Sequence, residues 1–209
     1  MTAPTSEVHI CNLALDYLKE AHITSIVSPN TQTEVICAAW YDQTRRSVLR
    51  KNSWNFATKR VSLAKLTTTP AYGWDYEYEL PNDFIRLVSL GSTYLYTTSD
   101  YQLEDGKILI NDDTTLNLRY VYDVTTVTKY DSLFINMLAL ELAINISYKI
   151  SGSNTLRKSL SEMYRMVSSE AKSVDGIERP PTRIQRSRAI QARRSNNLNT
   201  AGTHILEDY

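Results

Sequence analysis

Six isolated glycines, three histidines and two cysteines set the first limits on what chemistry this chain can perform. Gly73, Gly91, Gly106, Gly152, Gly176 and Gly202 each stand far from the next. A dinucleotide fingerprint or a phosphate loop needs glycines two to five positions apart, because the backbone itself must wrap the anion. Neither exists here, and a Gly-x-Ser-x-Gly nucleophile elbow is excluded on the same ground. His9, His22 and His204 show no H-x-x-x-H spacing and no paired C-x-x-C, so no local zinc site is expected. Cys11 and Cys37 fall in helical patterns and read as small buried hydrophobes, the usual state of a free cysteine. Among carboxylates, glycosidases need two set across a bond. Glu77 and Glu79 project from one face of a predicted strand, and the simpler reading makes them its wet side. Asp112-Asp113 reads as turn chemistry rather than as a metal site. No catalytic residue, cofactor-binding residue or metal ligand is assigned.

The charges are more informative than the nucleophiles. Lys+Arg and Asp+Glu are 23 each, so the chain as a whole has no net field to recruit nucleic acid or a membrane. The balance is segregated. Gln43 to Trp74 holds seven bases (Arg45, Arg46, Arg50, Lys51, Lys59, Arg60, Lys65) and no acid, whereas Asp75 to Asp113 holds nine acids and two bases. Such runs are usually solvated faces, and they also suit copies that meet side by side with unlike faces in register. Residues 179–206 carry Arg179, Arg183, Arg186, Arg188, Arg193 and Arg194 and no acid. No aromatic is interleaved there to stack bases, so a partner-ordered arm is a better expectation than a single-strand binding site. Trp74, Tyr76 and Tyr78 belong to a tyrosine-rich composition, and a large ring with a polar tip serves both cores and interfaces. Arg45, Arg46, Arg50, the six distal arginines and these three aromatics are the candidate interface residues.

The elements that must position them follow from periodicity. With 209 residues, 42% of them hydrophobic, the chain can bury a sizeable core. A helix is predicted from about Ser6 to Ala21, capped by Thr5 or Ser6, with Val8, Cys11, Leu15 and Leu18 on one face. Thr31 and Glu34 form a capping box for a second helix that reaches about Lys51. The period then changes to two: Trp74 to Leu80 alternates apolar and acidic residues, Leu116, Leu118, Tyr120 and Tyr122 repeat the alternation, and Asp105-Gly106 suits a type I′ hairpin turn. A third helix is predicted from the N-cap Asp131 to Gly152. Its apolar run, Leu133 to Ile150, carries Glu141, Asn145 and Lys149 as one polar stripe, which describes a core helix and not a membrane span. The fourth places Leu156, Leu160, Met163, Val167, Ala171 and Val174 on one face, with Gly176 as the C′ residue. The start of the chain has no basic n-region or apolar h-region. The predicted class is α+β: an antiparallel helical bundle from 1–52 and 131–176, an inserted β-rich domain over 53–130, and an extended C-terminal arm over 177–209.

Several strings, taken in order, resemble the tail tubular protein A family, the head-to-tail adaptors of short-tailed bacteriophages. They are Ile10-Cys-Asn-Leu-Ala-Leu15, Ile23-Thr-Ser-Ile26, Tyr41 through Arg45, and Leu49 to Arg60 with Trp54-Asn-Phe-Ala57 inside it. Tyr76-Glu-Tyr-Glu-Leu-Pro81 follows with Asp83 and Arg86, then Leu118-Arg-Tyr-Val121, the apolar helix after Asp131, and Ile150-Ser-Gly-Ser153. Together they span about residues 6 to 176. The resemblance implies a structural virion protein of the tail, assembled in the host cytoplasm. It implies a dodecameric ring of this chain between the portal protein and the tail nozzle protein, with DNA passing through the lumen without sequence recognition. It implies no cofactor and no membrane partner. Some members of such tail families are credited with cleaving peptidoglycan, so a tail-associated hydrolase is the alternative, and a small nucleic-acid-binding protein the third reading.

Overall fold

Ser6 accepts the backbone N–H of His9 at 3.2 Å and opens helix α1 (Glu7–Leu18). The helix stops three residues short of the predicted Ala21, because Lys19 turns into the left-handed region (φ 59°) and its N–H closes back on Leu15 and Asp16. Thr31 and Glu34 form the expected capping box of α2 (Gln32–Lys51). This computed structural model describes residues 6–91, 96–97 and 99–178. After α2 come β1 (Thr58–Leu63), β2 (Tyr76–Glu79), β3 (Phe84–Leu90), β4 (Tyr101–Glu104), β5 (Lys107–Ile110) and β6 (Leu116–Tyr122). A single 3-10 turn at Val127–Lys129 leads into α3 (Ser132–Ser151) and α4 (Asn154–Ile177). Four helices and two small antiparallel sheets make this a mixed α+β fold.

One sheet has the order β1-β6-β3 and the other β2-β5-β4. The β4–β5 hairpin turns on Asp105 (φ 46°) and Gly106 (φ 71°), the two positive angles a type I′ turn demands. Strand β3 slips register twice against β6, between Phe84 and Arg86 and between Leu87 and Ser89. These irregularities let one short strand serve two cores: Ile85 joins the helical core while Leu90 joins the core between the strands. Strand β6 does the same. Leu116, Leu118 and Tyr120 face the inter-sheet cluster, and Val121 faces the helices.

Helix α3 is the centre of the helical part. It is 20 residues long with a mean hydropathy of 1.4, enough by length and composition to cross a membrane. Here α1, α2 and α4 all pack against it, and more than half of its apolar window is buried. Asp131 caps it through the N–H of Leu133, and Gly152 (φ 64°) ends it, both as read from sequence. Trp54, Phe56, Tyr130 and Phe134 form an aromatic cluster at its N-terminal end, with centroids 4.9–6.0 Å apart and mostly tilted or edge-on. Cys11 and Cys37 are free and buried, and their contact joins α1 to α2.

Two helical expectations change. Gly176 does not end α4: the helix runs on to Ile177 with Glu178 as its cap, so the glycine lies in the last turn. On the predicted apolar face of α4, Leu160 and Ala171 are buried, but Met163 and Val174 remain 38% and 42% exposed.

Candidate functional site

The C-terminal turns of α2 bring Arg45, Arg46, Arg50 and Lys51 against β6, β3 and α3. Arg45 is buried, with its guanidinium 3.1 Å from Asp123 and 3.3 Å from Asp42. Arg46 gives Nε to the same Asp123 at 2.9 Å, with its side chain largely exposed. Arg50 donates to the carbonyl of Ile85 at 2.6 Å. Lys51 reaches Glu141 at 2.7 Å and the hydroxyl of Tyr164 at 3.3 Å. Further along, Lys59 pairs with Asp83 at 2.6 Å, and Tyr120 donates its hydroxyl to the other oxygen of that carboxylate. Lys65 lies over the Tyr76 ring. Much of the basic run is therefore engaged inside the chain. This corrects the expectation for Arg45: it is a buried strut between α2 and β6 and is not on offer to a neighbouring copy. Arg46 and Arg50 keep exposed faces.

The acidic run is likewise occupied. Glu77, predicted to face water, is 5% exposed. Leu66 donates its N–H to the Glu77 carbonyl, so the segment before β2 crosses over that face, and Thr68 and Lys107 take the carboxylate. These hydrogen bonds, from Thr68 and then from Lys107, hold the carboxyl below its ordinary range. A glycosidase acid must keep its proton at working pH, and Glu77 is arranged to lose it. Asp112 accepts the Tyr96 hydroxyl and the N–H of Thr114, which is the turn role read from sequence.

The three aromatics separate. Tyr78 is fully buried, its hydroxyl donating to the carbonyls of Asp112 and Thr114. Tyr76 is half-buried under Lys65. Trp74 is half-buried, held by its indole N–H to Gln102 at 3.2 Å, and lines a groove of about 480 Å³ with Tyr72, Glu77, Gln102, Glu104 and Lys107. A smaller cavity of about 210 Å³ lies where Trp54, Phe56 and Tyr130 meet Asp131, Asp175 and Glu178. There Asn55 ties the α2–β1 corner to the end of α4, donating its N–H to the Asp175 carboxylate at 2.8 Å and its amide to the Asp175 carbonyl. Asn12 similarly clasps both backbone groups of Ile23. Both asparagines stand inside strings that carry the family resemblance, but no local pattern reports their partners, which lie 11 and 120 residues away.

Arg179, Arg183, Arg186, Arg188, Arg193 and Arg194 lie outside the described residues. Among the described residues no group of three His, Cys, Asp or Glu side chains is placed to hold a metal ion. No protein-family model matches the chain, and no curated protein is significantly similar to it.

Proposed function

We propose that this chain is a structural protein of a short-tailed bacteriophage tail. In this reading it is an adaptor of the tail tubular protein A kind that closes into a ring between portal and tail nozzle and lines the DNA passage. The observation that carries the reading is the order of the matching strings over residues 6 to 176, together with where they fall. Ile10–Leu15 supplies the buried face of α1, and Ile23–Ile26 is the loop held by Asn12 and Glu34. Trp54–Ala57 is the corner between α2 and β1, and Leu118–Val121 is the stretch of β6 that serves both cores. Ile150–Ser153 is the end of α3 and the turn into α4. These strings supply core faces and corners of the fold, where packing constrains residue type more tightly than on a solvated face.

In this reading the helices of 1–52 and 131–177 form an antiparallel bundle, 53–130 is an inserted β domain, and the chain beyond Glu178 supplies contacts to a partner. The chemistry is interface formation, not turnover: successive subunits meet head to tail, and a heterologous contact closes into a ring when the rotation allows. Exposed ion pairs contribute about 0–1 kcal/mol each, so charge sets register and apolar area drives closure. The test is to mix purified chain with intact portal rings and follow mass and particle shape. A closed ring seated on the portal is expected. A chain that stays unattached beside intact portal, at concentrations well above micromolar, overturns the reading. Release of soluble fragments from peptidoglycan, abolished by Glu77→Gln, would instead favour the hydrolase.

A further inference from the structure

Helix α4 carries a basic residue at every seventh position. Lys158, Arg165 and Lys172 fall within it, and Arg179, Arg186 and Arg193 keep the same period in the sequence beyond. Seven residues are close to two helical turns, about 10.5 Å of rise. Such a row drifts by only about 20° per repeat, so the three bases of α4 lie within about 40° of one line. All three are exposed, on a flank set apart from the buried Leu160 and Ala171.

The rest of that flank is small or polar. Asn154, Ser161, Ser169 and Gly176 share the sector with the bases, and no acid or apolar side chain of α4 does. Glu162 and Asp175 stand at its two borders, and Asp175 is held by Asn55. Elsewhere Arg45, Arg46, Lys51, Lys59 and Lys107 are each answered by a carboxylate. Among the described residues nothing answers Lys158, Arg165 or Lys172. A shallow groove of about 460 Å³ follows the flank from Asn154 to Arg165, and every residue lining it belongs to α4. No other element covers these bases there.

We infer that this flank of α4 is a contact surface for the phosphate backbone of duplex DNA. A folded protein partner would gain little from it, because exposed ion pairs are weak one by one and no apolar side chain stands among the bases to add buried area. A duplex differs: it carries one charge per about 1.7 Å of its axis under a sheath of condensed cations. Each protein base that takes a phosphate releases such a cation, and that release drives binding. Flexible lysine and arginine side chains find phosphates without a fixed register, so the contact reads no sequence. No aromatic ring lies on the flank to stack an unpaired base, which sets single strands aside. The inference needs no ring and is tested on the free chain. Joined to the adaptor reading, it names the side of the subunit that meets DNA in the lumen.

Binding of the full chain to a fluorescent duplex of about 30 base pairs is followed by anisotropy from about 50 to 200 mM salt. Six bases on phosphates give log affinity against log salt a slope of about −5.4, a loss of about 10³-fold over that range. Lys158→Gln, Arg165→Gln and Lys172→Gln combined bring the slope to about −2.7 and the loss to about 40-fold, alike for every duplex sequence. The far-ultraviolet spectrum of this variant is unchanged. Lys19→Gln, Arg60→Gln and Lys129→Gln combined remove the same charge from exposed sites elsewhere and leave the slope as it was. Four results each overturn the inference: no salt-dependent binding, an α4 triple variant without effect, the two triple variants acting alike, or polyglutamate competing as well as duplex at equal charge. Portal binding is measured separately, so the loss of either reading leaves the other standing.

Discussion

Both carboxylate oxygens of Glu34 are taken by the loop that precedes α2. One accepts from the N–H and hydroxyl of Thr24 and the N–H of Ser25; the other accepts from the N–H groups of Asn30 and Thr31. These hydrogen bonds, that from Asn30 foremost, bring the carboxyl from its ordinary 4.5 down to about 2. The sign follows: the folded chain binds this proton less well than the unfolded chain, so the stabilisation is complete above roughly pH 5 and is lost as pH falls toward 2. Melting temperature should decline across that interval, and Glu34→Gln should melt lower at neutral pH while flattening the decline. Thr31→Ala loses about 1 kcal/mol at every pH, because only a neutral cap is removed. Melts from pH 7 to 2 on the three proteins check this, and an unchanged acid slope in Glu34→Gln would refute it. Arg45 is the second residue-scale case. Arg45→Met removes the buried partner of Asp123 and leaves it only Arg46, so it should cost more than about 1 kcal/mol in urea unfolding, whereas Arg46→Met, at the exposed side of the same carboxylate, should cost under about 1 kcal/mol. The capping box was legible because Thr31 and Glu34 are three apart. The role of Arg45 was not, because Asp123 lies 78 residues away and an arginine in a basic run looks like its neighbours.

Elements were legible wherever a local rule settles them and obscure wherever a distant surface does. The caps of α1, α2 and α3 and the Asp105-Gly106 turn depend on residues within four positions, and all were readable. The alternation in β2 was readable too, but not its consequence: the segment around Leu66 and Thr68 folds back over the face that should have been wet, and Glu77 goes under it. Strands β1 and β3 were not delimited in advance, since β3 slips register twice and so shows no clean period. Gly176 has the composition of a helix stop, yet it lies inside the last turn of α4, beside the Asp175 carboxylate and carbonyl that Asn55 holds. The corner between α2 and β1 is the element most exposed to test. Trp54 is 1% exposed, gives its indole N–H to the carbonyl of Val48, and meets Phe134 edge-on at 5.2 Å. Trp54→Ala should therefore cost about 3–5 kcal/mol, and Trp54→Phe appreciably less, since a ring still meets Phe134 while the hydrogen bond and part of the buried volume are lost. Urea midpoints that rank the two the other way would show that the corner is held by the backbone and not by the cluster.

At the scale of the whole molecule the described residues stack as helices, then the β1-β6-β3 sheet, then the β2-β5-β4 sheet, with two apolar clusters between the layers. The middle sheet contributes to both clusters through β3 and β6, so neither can lose its packing without disturbing the other. Ion pairs from Arg45 and Arg46 to Asp123 cross the boundary between helices and middle sheet, while Lys51 to Glu141 joins two helices within one layer. Those with exposed partners add little at ordinary ionic strength, which leaves apolar area as the coupling. Unfolding should then be one cooperative transition, with circular dichroism and tryptophan fluorescence giving the same midpoint. Local stability should nevertheless be graded. Backbone amides of α3, packed by three helices, should exchange only through global opening. Amides of β4, at an edge of the outer sheet and exposed over Gln102–Glu104, should exchange through smaller openings. Leu118→Ala on β6, fully inside the inter-sheet cluster, tests the coupling directly. It should lower the single midpoint by an amount matching about 2–5 kcal/mol and accelerate exchange in α3 as well as in the sheets. Two separated transitions, or an α3 indifferent to Leu118→Ala, would mean that the layers fold independently.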